Sequence, residues 1–282
     1  MNGVAAAPGD FLAQMAAASH ARVAAARRVV DEPALLARAL ATPQAPRLRL
    51  SPQGFDVIAE VKLRSPALGA LRVHGEDLAA RVTQYAEAGA AAISVLTEPS
   101  RFDGALEHLQ RASDALGARA PAMRKDFIVD PYQVIEARAA GAGGVLAILR
   151  MIPRETTTAL LDMAARLGLF VLLEAFDEAD LALADALLRT HQQRALAARA
   201  PLLVGVNCRD LVTLQVVPGR LERLAPLLPR SAPRVAESGV ESAADIARLA
   251  AVGYDVALVG GALMKRAEPA VLVRELLAAG RA

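Results

Sequence analysis

Residues 56–62 read Asp56-Val57-Ile58-Ala59-Glu60-Val61-Lys62, an apolar run that passes directly into charged side chains. A continuous run rich in Val and Ile is typical of a strand that is buried on both faces, as in a parallel sheet. The same layout recurs along the chain at intervals of roughly 22 to 35 residues. The eight runs are Asp56–Val61, Ala91–Leu96, Pro121–Met123, Gly144–Leu149, Leu169–Leu173, Leu202–Val206, Arg234–Ala236 and Val256–Val259.

The stretches between these runs are long enough for crossover helices, and several helical patterns end at a glycine suited to a left-handed cap. We predict helices at Glu76–Ala88, Asp103–Leu116, Tyr132–Ala140, Arg154–Leu167, Glu178–Ala198, Gly219–Leu228, Ser242–Val252 and Glu268–Ala279. This alternation predicts an α/β fold, a (β/α)8 TIM barrel, in which all strands end on one face. Two Ala- and Leu-rich helices, Phe11–Val30 and Glu32–Ala41, precede it. We therefore divide the chain into a helical N-terminal extension with a linker, residues 1–54, and a barrel domain, residues 55–282.

Composition limits the other classes of protein. The 282 residues suit one barrel, and no apolar stretch reaches the ~18 to 20 uncharged residues of a membrane helix. The net charge is +2 with no clustered basic stripe, so no nucleic-acid partner is expected. Met1–Asp10 lacks the pattern of a signal peptide, and the single Cys208 excludes an intramolecular disulfide. We expect a cytoplasmic protein without a membrane partner, either a monomer or a weak homo-oligomer.

The first strand brings Glu60 and Lys62 to the same face, because side chains alternate along a strand. At the barrel mouth a carboxylate and an ammonium would hold each other charged and ready for an anionic substrate. An ion pair that merely plugs the barrel is the alternative for this pair alone. A second lysine and glutamate, Lys125 and Glu174, make that alternative weaker, because so much buried charge is costly to desolvate.

The third and fifth strands carry that second pair. Lys125, beside apolar Phe127, is a candidate general acid whose pKa we expect to be lowered. Glu174 follows a strand too apolar to accept a carboxylate without a partner. We expect Arg124 and Asp126 to face outward, where a purely structural ion pair and a functional role are equally open.

The sixth strand ends at Asn207, which offers a donor and an acceptor at a fixed point. Arg209 follows closely, and its guanidinium could bind a substrate carboxylate or clamp a loop. The residues leave these two roles open.

Glycine-containing turns follow the last two strands, Ser238-Gly239 after the seventh and Gly260-Gly261 after the eighth. In a barrel, backbone N–H groups at these two places can cradle a phosphate. Each turn is weak evidence by itself, but the pair predicts a phosphorylated small-molecule substrate. No metal site is predicted, because the histidines have no ligand spacing; they are His20, His74, His108 and His191.

Several motifs occur in the order found in one enzyme family, and the chain resembles indole-3-glycerol phosphate synthase over about residues 56 to 265. The motifs are Glu60-Val61-Lys62 with Ser65-Pro66, Ser94-Val95-Leu96-Thr97-Glu98 with Phe102 and Gly104, Arg124-Lys125-Asp126-Phe127-Ile128-Val129-Asp130, Asn207-Cys208-Arg209-Asp210-Leu211, and Ala236-Glu237-Ser238-Gly239. The resemblance implies a carboxy-lyase of tryptophan biosynthesis. It closes the pyrrole ring of 1-(2-carboxyphenylamino)-1-deoxyribulose 5-phosphate with loss of carbon dioxide and water, and uses no metal or organic cofactor.

The resemblance also implies roles for residues. Lys125 is implied as the general acid toward the substrate carbonyl, and Lys62 as the partner of the anthranilate carboxylate or a second proton donor. Glu174 is implied as the general base in dehydration. The orienting residues are then Glu60, Asn207 and Glu237. The substrate-binding residues are Ser65, Phe102, Phe127, Arg209, Ser238, Gly239, Gly260 and Gly261, with the two phenylalanines as walls around the aromatic ring.

The chain departs from the family pattern at several positions. Serines are more usual at Ala67, Ala105 and Gly261, and Val-His is more usual than Ala175-Phe176. These departures leave a diverged paralogue with an altered substrate as one alternative. Another phosphosugar barrel enzyme, such as phosphoribosylanthranilate isomerase, is a second, although that enzyme generally carries a cysteine near the end of its first strand. A non-catalytic metabolite-binding protein is the third.

Overall fold

The computed structural model describes residues 11–52, 54–66, 69–70 and 77–282. Within these residues, a closed barrel of eight parallel strands confirms the predicted (β/α)8 fold. The ring closes because the first strand pairs with the second on one side and with the eighth on the other. The strands are β1 (Asp56–Val61), β2 (Ala92–Leu96), β3 (Ala122–Lys125), β4 (Gly144–Ile148), β5 (Phe170–Ala175), β6 (Leu202–Asn207), β7 (Arg234–Glu237) and β8 (Val256–Val259).

Helices surround the barrel and precede it, as the sequence pattern predicts. They are α1 (Phe11–Val29), α2 (Glu32–Ala41), α3 (Leu78–Glu87), α4 (Pro99–Phe102), α5 (Leu106–Leu116), α6 (Pro131–Ala139), α7 (Arg154–Leu167), α8 (Glu178–Ala197), α9 (Arg220–Leu224), α10 (Ala243–Ala251), α11 (Gly261–Met264) and α12 (Pro269–Gly280). Two short strands, Arg64–Ser65 and Gly69–Ala70, pair antiparallel just after β1. Ala67, His74 and the predicted helix start at Glu76 lie outside the described residues.

The predicted helix Asp103–Leu116 is wrong at its start. Asp103 has a left-handed backbone, with φ of 53°, and it ends the short helix α4. Gly104 then passes so close to the end of β2 that a Cβ there would lie 2.6 Å from the carbonyl oxygen of Leu96. The chain therefore breaks before α5 begins at Leu106. The predicted helix Gly219–Leu228 is likewise divided, into α9 and a 3-10 turn, Ala225–Leu227, that contains a proline.

The middle of the barrel interior is apolar. Inward-facing residues such as Ile58, Met123 and Leu172 pack together with the ring of Phe170. Gly144 provides the space for that ring, because a Cβ at this position would overlap it. Toward the carboxyl ends of the strands, where the cleft opens, charged side chains such as Glu60 and Glu174 follow.

The extension helix α1 packs on the mouth side of the barrel. Met15 is buried with the residues of the barrel interior. The hydroxyl of Ser19 donates a hydrogen bond to the carbonyl oxygen of Phe127 at 2.5 Å, and Arg22 forms an ion pair with Asp126 at 2.7 Å. The N-terminal extension is thus joined to the segment that follows β3.

Candidate active site

A cleft of about 1110 Å³, including its open mouth, lies at the carboxyl ends of the strands. Every site residue predicted from the sequence lines this cleft, because parallel strands end on the same face of the barrel. The fourteen residues are Glu60, Lys62, Ser65, Phe102, Lys125, Phe127, Glu174, Asn207, Arg209, Glu237, Ser238, Gly239, Gly260 and Gly261.

The ammonium of Lys125, at the end of β3, lies between two carboxyls. Its Nζ is 3.2 Å from Oε2 of Glu174 and 3.9 Å from Oε2 of Glu237. Burial alone lowers the pKa of Lys125, but the charges of Glu174, Glu237 and Glu60 outweigh it and raise that pKa above its ordinary value. The predicted lowering of this pKa is therefore wrong. Lys125 thus holds its proton, and it would give that proton up to an oxygen on which negative charge develops.

Glu237 is 1% exposed and sits at the end of β7. No amide, ammonium, guanidinium or hydroxyl donor reaches either of its carboxyl oxygens within the described part of the chain. Burial, followed by the charge of Glu174, raises the pKa of Glu237 well above its ordinary value, and Lys125 offsets only part of this. The two carboxyls are near enough to interact, so protonation of one of them would allow a hydrogen bond between Glu237 and Glu174.

Glu60 and Lys62 form the second charged pair, on β1 and directly after it. Nζ of Lys62 is 2.5 Å from Oε1 of Glu60, and both side chains border the cleft. Gly260 lies opposite, where a Cβ would overlap the Glu60 carboxylate. Gly260 borders the cleft, and its lack of a side chain leaves room for the Glu60 carboxylate.

Lysine is rare in this chain, which makes its positions informative. The basic residues number 32, but only Lys62, Lys125 and Lys265 are lysines. Two of these three line the cleft. Arginine can hold an anion equally well, but its pKa is too high for it to release a proton at neutral pH, whereas an ammonium can do so. The cleft thus has the type of cation that acid–base chemistry requires.

Aromatic rings form one wall of the cleft. The ring centroids of Phe102 and Phe127 are 6.2 Å apart, and Phe11 of α1 meets Phe127 edge-on at 5.7 Å. Sequence reasoning missed Phe11, since no local pattern says that the first turn of an extension helix reaches the site. It also missed the aliphatic lining, which looks like ordinary core in the sequence: Leu96, Leu146, Ile148, Leu211, Leu214 and Leu258.

Arg124 and Asp126 form a buried ion pair outside the barrel interior, 3.0 Å apart. Asp126 also accepts hydrogen bonds from Arg22 and from the hydroxyl of Thr97, each at 2.7 Å. Burial raises the pKa of Asp126, but Arg124 and Arg22 outweigh it and hold the pKa below its ordinary value. The buried ion pair is therefore observed, and Asp126 extends it to α1 through Arg22, while Asp126 also borders the cleft.

The loop after β6 is held by Asn207 and Arg209. The side-chain oxygen of Asn207 accepts a hydrogen bond from the backbone N–H of Arg209 at 2.9 Å. The guanidinium of Arg209 donates to the carbonyl oxygen of Leu214 at 2.7 Å. Of the two roles left open for Arg209, the loop clamp is the one observed. Its side chain still borders the cleft.

The glycine turns after β7 and β8 lie side by side on the cleft. Ser238 and Gly239 both have left-handed backbones, with φ of 67° and 71°. Gly261 opens the short helix α11, so its N–H belongs to a helix N-terminus that can receive an anion. No group of three potential metal ligands of the His, Cys, Asp or Glu type occurs among the described residues.

Comparison with known proteins identifies the family of the chain. A family model described as "Indole-3-glycerol phosphate synthase" matches residues 12–276. The chain belongs to the indole-3-glycerol phosphate synthase family. A relative of that name from Parafrankia sp. (strain EAN1pec) is 43% identical over 242 residues, which cover 86% of this chain and 82% of that protein. One from Mycobacteroides abscessus is 40% identical over 262 residues, covering 92% and 91%.

Solved structures of lower identity share the fold. 3-Hexulose-6-phosphate synthase from Salmonella typhimurium aligns with a TM-score of 0.60 at 15% identity, covering 80% of this chain and 98% of its own. Family membership makes the chain one of the decarboxylating lyases of tryptophan biosynthesis, which act on a phosphorylated substrate. The isomerase and the non-catalytic binder are therefore set aside. No helix among the described residues is long and apolar enough to cross a membrane.

The departures from the family pattern have local structural consequences. Phe176 packs with the barrel interior, and the guanidinium of Arg150 lies 4.7 Å above its ring. Ala105 is the N-cap of α5 and provides no capping hydrogen bond, an absence that costs a helix about 1 kcal/mol. Gly261 leaves the first turn of α11 without a hydroxyl toward the cleft. The chain thus fills one departing position with apolar packing and leaves two without a polar contact.

Proposed function

We propose that this chain converts 1-(2-carboxyphenylamino)-1-deoxyribulose 5-phosphate into indole-3-glycerol phosphate, with the lysines and glutamates of the cleft as its acid–base groups. The observation that carries the proposal is the position of Lys125, a protonated lysine 3.2 Å from the carboxylate of Glu174. Ring closure needs an acid at the ketone oxygen, and dehydration needs both an acid and a base. One wall of the cleft supplies both.

The first step joins the ring carbon that bears the carboxylate to the ketone carbon. We assign Lys125 as the general acid that protonates the ketone oxygen as its negative charge develops. Phe102 and Phe127, with Phe11 beside them, hold the aromatic ring against this centre. Carbon dioxide then leaves from the same ring carbon, and its bonding electrons restore the aromatic ring.

The second step removes water. The new hydroxyl leaves with a proton, and a base takes a proton from the neighbouring methylene carbon. We assign Glu174 as that base, because its carboxylate already lies beside the ammonium that would deliver or recover the other proton. Lys62 pairs with the substrate carboxylate before it is lost, or shares in proton delivery. Neither step needs a metal or an organic cofactor.

Other polar groups position the assigned acid and base residues. Glu60 holds the ammonium of Lys62, and Asn207 fixes the start of the loop after β6. We assign Ser65 and Arg209 to contacts with the polar parts of the substrate. In this role Arg209 would give up its hydrogen bond to the carbonyl oxygen of Leu214. Glu237, whose carboxyl lies 3.9 Å from the ammonium of Lys125, helps to orient that lysine.

We place the phosphate at the turns formed by Ser238, Gly239, Gly260 and Gly261. Their backbones border the cleft and provide N–H groups at the start of α11. A crystal soaked with sulfate tests this site, and the expected result is an anion held by backbone N–H groups of these turns. An anion bound only elsewhere in the cleft would show that the phosphate site has moved.

A fluorescence assay tests the overall reaction, since the indole product is fluorescent and the anthranilate substrate emits differently. The expected result is product formation by the purified protein without added metal, and continued activity after dialysis against a chelator. A protein that releases no indole product from this substrate but accepts an analogue altered at its phosphate end would support the diverged paralogue, because the missing hydroxyl at Gly261 lies at the proposed phosphate site. We further expect a cytoplasmic location and a monomer or weak homo-oligomer, which sedimentation analysis would test.

A further inference from the structure

Gly205 lies in the middle of β6, on the face that points into the barrel. Its register partner on β5 is Glu174. A Cβ built on Gly205 would overlap Oε1 of Glu237 and would lie 3.1 Å from Cδ1 of Leu172. The carboxyl of Glu237 thus occupies the space that a side chain at position 205 would fill, directly beside the strand position of Glu174.

The charges around this slot do not suit two ionised glutamates. Lys125 reaches Glu174 at 3.2 Å but Glu237 only at 3.9 Å, beyond hydrogen-bond distance. The other lysine, Lys62, is bound to Glu60 at 2.5 Å. The guanidinium of Arg209, which also borders the cleft, donates to the carbonyl oxygen of Leu214. If Glu174, Glu237 and Glu60 were all ionised, three buried carboxylates would therefore face two ammonium groups. A neutral Glu237 leaves two of each, and it lessens the repulsion of a phosphorylated, carboxylated substrate.

The hydrogen bonds give the same result independently. An ionised carboxylate that is 1% exposed needs several donors, and Glu237 receives none from the described amides, cations and hydroxyls. A protonated carboxyl, in contrast, can donate its own O–H to the carboxylate of Glu174 across the space above Gly205. Two carboxyls that share a confined site commonly hold one proton between them.

We infer that Gly205 is a positioning residue, because its missing Cβ opens the slot in which the carboxyl of Glu237 contacts that of Glu174. This pair of carboxyls carries one proton, which is held on Glu237. The inference rests on the proposed role of Glu174 as the base. The neutral Glu237 donates a hydrogen bond that fixes the Glu174 carboxylate, and it leaves Lys125 with a single ionised partner.

The first test compares two substitutions of Glu237. Glutamine reproduces the shape and the donor of a neutral glutamic acid, whereas alanine removes both. We expect Glu237→Ala to lower kcat about 100-fold, the cost of a misplaced catalytic group, and Glu237→Gln to recover at least a tenfold part of that loss. If Glu237→Gln is as impaired as Glu237→Ala, the ionised form is the working one and the inference is wrong.

A spectroscopic test does not depend on turnover. The infrared difference spectrum between the wild-type protein and Glu237→Gln at neutral pH should contain the C=O stretching band of a protonated carboxylic acid, shifted in D2O. A difference spectrum without this band would overturn the inference, even if both proteins are active. A wild-type protein that forms no indole product would instead refute the proposed function, so the two failures are distinguishable.

Gly205→Ala tests the slot itself. The added methyl should displace the Glu237 carboxyl and lower kcat about tenfold or more with a smaller change in KM. Because Gly205 acts through Glu237, the double variant Gly205→Ala/Glu237→Ala should be no slower than Glu237→Ala alone. Full additivity of the two losses would mean that Gly205 serves packing only, and would contradict the inference. Melting temperatures of all variants check that each is folded.

Discussion

Replacing Lys125 by methionine should remove the general acid while keeping an unbranched apolar stem of similar length. Loss of an acid–base group commonly lowers kcat by about 100-fold or more, which corresponds to ~2.7 kcal/mol or more of transition-state stabilisation. Fluorescence of the indole product gives kcat and KM directly. A near-wild-type kcat in Lys125→Met would remove Lys125 from the mechanism.

The substitution Lys125→Met also leaves a buried carboxylate without its cation. Glu174 lies 3.2 Å from the lost ammonium, and removing one partner of a buried ion pair typically costs ~3 to 5 kcal/mol. Because the folded-state pKa of Lys125 is raised, this contribution is fully present below its unfolded pKa of ~10.4 and is lost as the pH rises through the folded value. Chemical denaturation should therefore show the wild-type advantage at neutral pH and a smaller advantage in strong base. An advantage that grows in strong base would contradict the arrangement of charges described above.

Two matched variants separate the functions of this side chain. Lys125→Arg keeps a cation beside Glu174 but cannot release its proton at neutral pH, so it should retain more stability than Lys125→Met and remain nearly as inactive. Lys265→Ala removes the one lysine outside the cleft, which is exposed on the surface. It should change neither kcat nor the melting temperature. If Lys125→Arg is fully active, the ammonium acts by its charge and not by proton donation.

Three further variants test other parts of the cleft. Glu174→Gln should lower kcat about 100-fold with little change in KM, and an effect on KM alone would make Glu174 a binding residue. Asp126→Asn should cost ~1.5 to 3 kcal/mol at pH 7, because Arg22 loses its carboxylate and Arg124 keeps only that of Glu136. The folded-state pKa of Asp126 is depressed, so this contribution to stability is present above the unfolded pKa of ~3.9 and is lost as the pH falls through the folded value. Chemical denaturation should therefore show a wild-type advantage that shrinks in acid. Phe11→Ala should raise KM roughly 2- to 12-fold through the lost ring contact, worth ~0.5–1.5 kcal/mol, and an unchanged KM would place Phe11 outside the binding site.

The barrel itself could be predicted because its signals are local. Each strand is a short apolar run, such as Asp56–Val61, and the parallel topology puts the residues after every run on one face. This is why residues as distant in sequence as Glu60 and Gly261 could be assigned to one cleft. The family motifs then distinguished acid, base and phosphate positions among them.

The parts that could not be predicted depend on contacts between distant segments. The break at Gly104 follows from its close approach to the end of β2, and no helix propensity reports such an approach. The pKa of Lys125 rises because three carboxyls converge on it, although burial alone suggested the opposite direction. Gly205 resembles an ordinary glycine in an apolar strand until the position of Glu237 is known. Phe11 reaches the cleft only through the packing of α1 across the barrel mouth.

The most direct test of the assigned chemistry is a crystal structure with a substrate analogue whose ketone has been reduced to an alcohol, so that it cannot cyclise. We predict the alcohol oxygen within hydrogen-bond distance of Nζ of Lys125, with the phosphate on the backbone N–H groups of Ser238, Gly239 and Gly261. The carboxylate should lie at Lys62, and the ring between Phe102 and Phe127. An analogue bound with its phosphate at Lys125, or with its alcohol oxygen out of reach of that ammonium, would contradict the account.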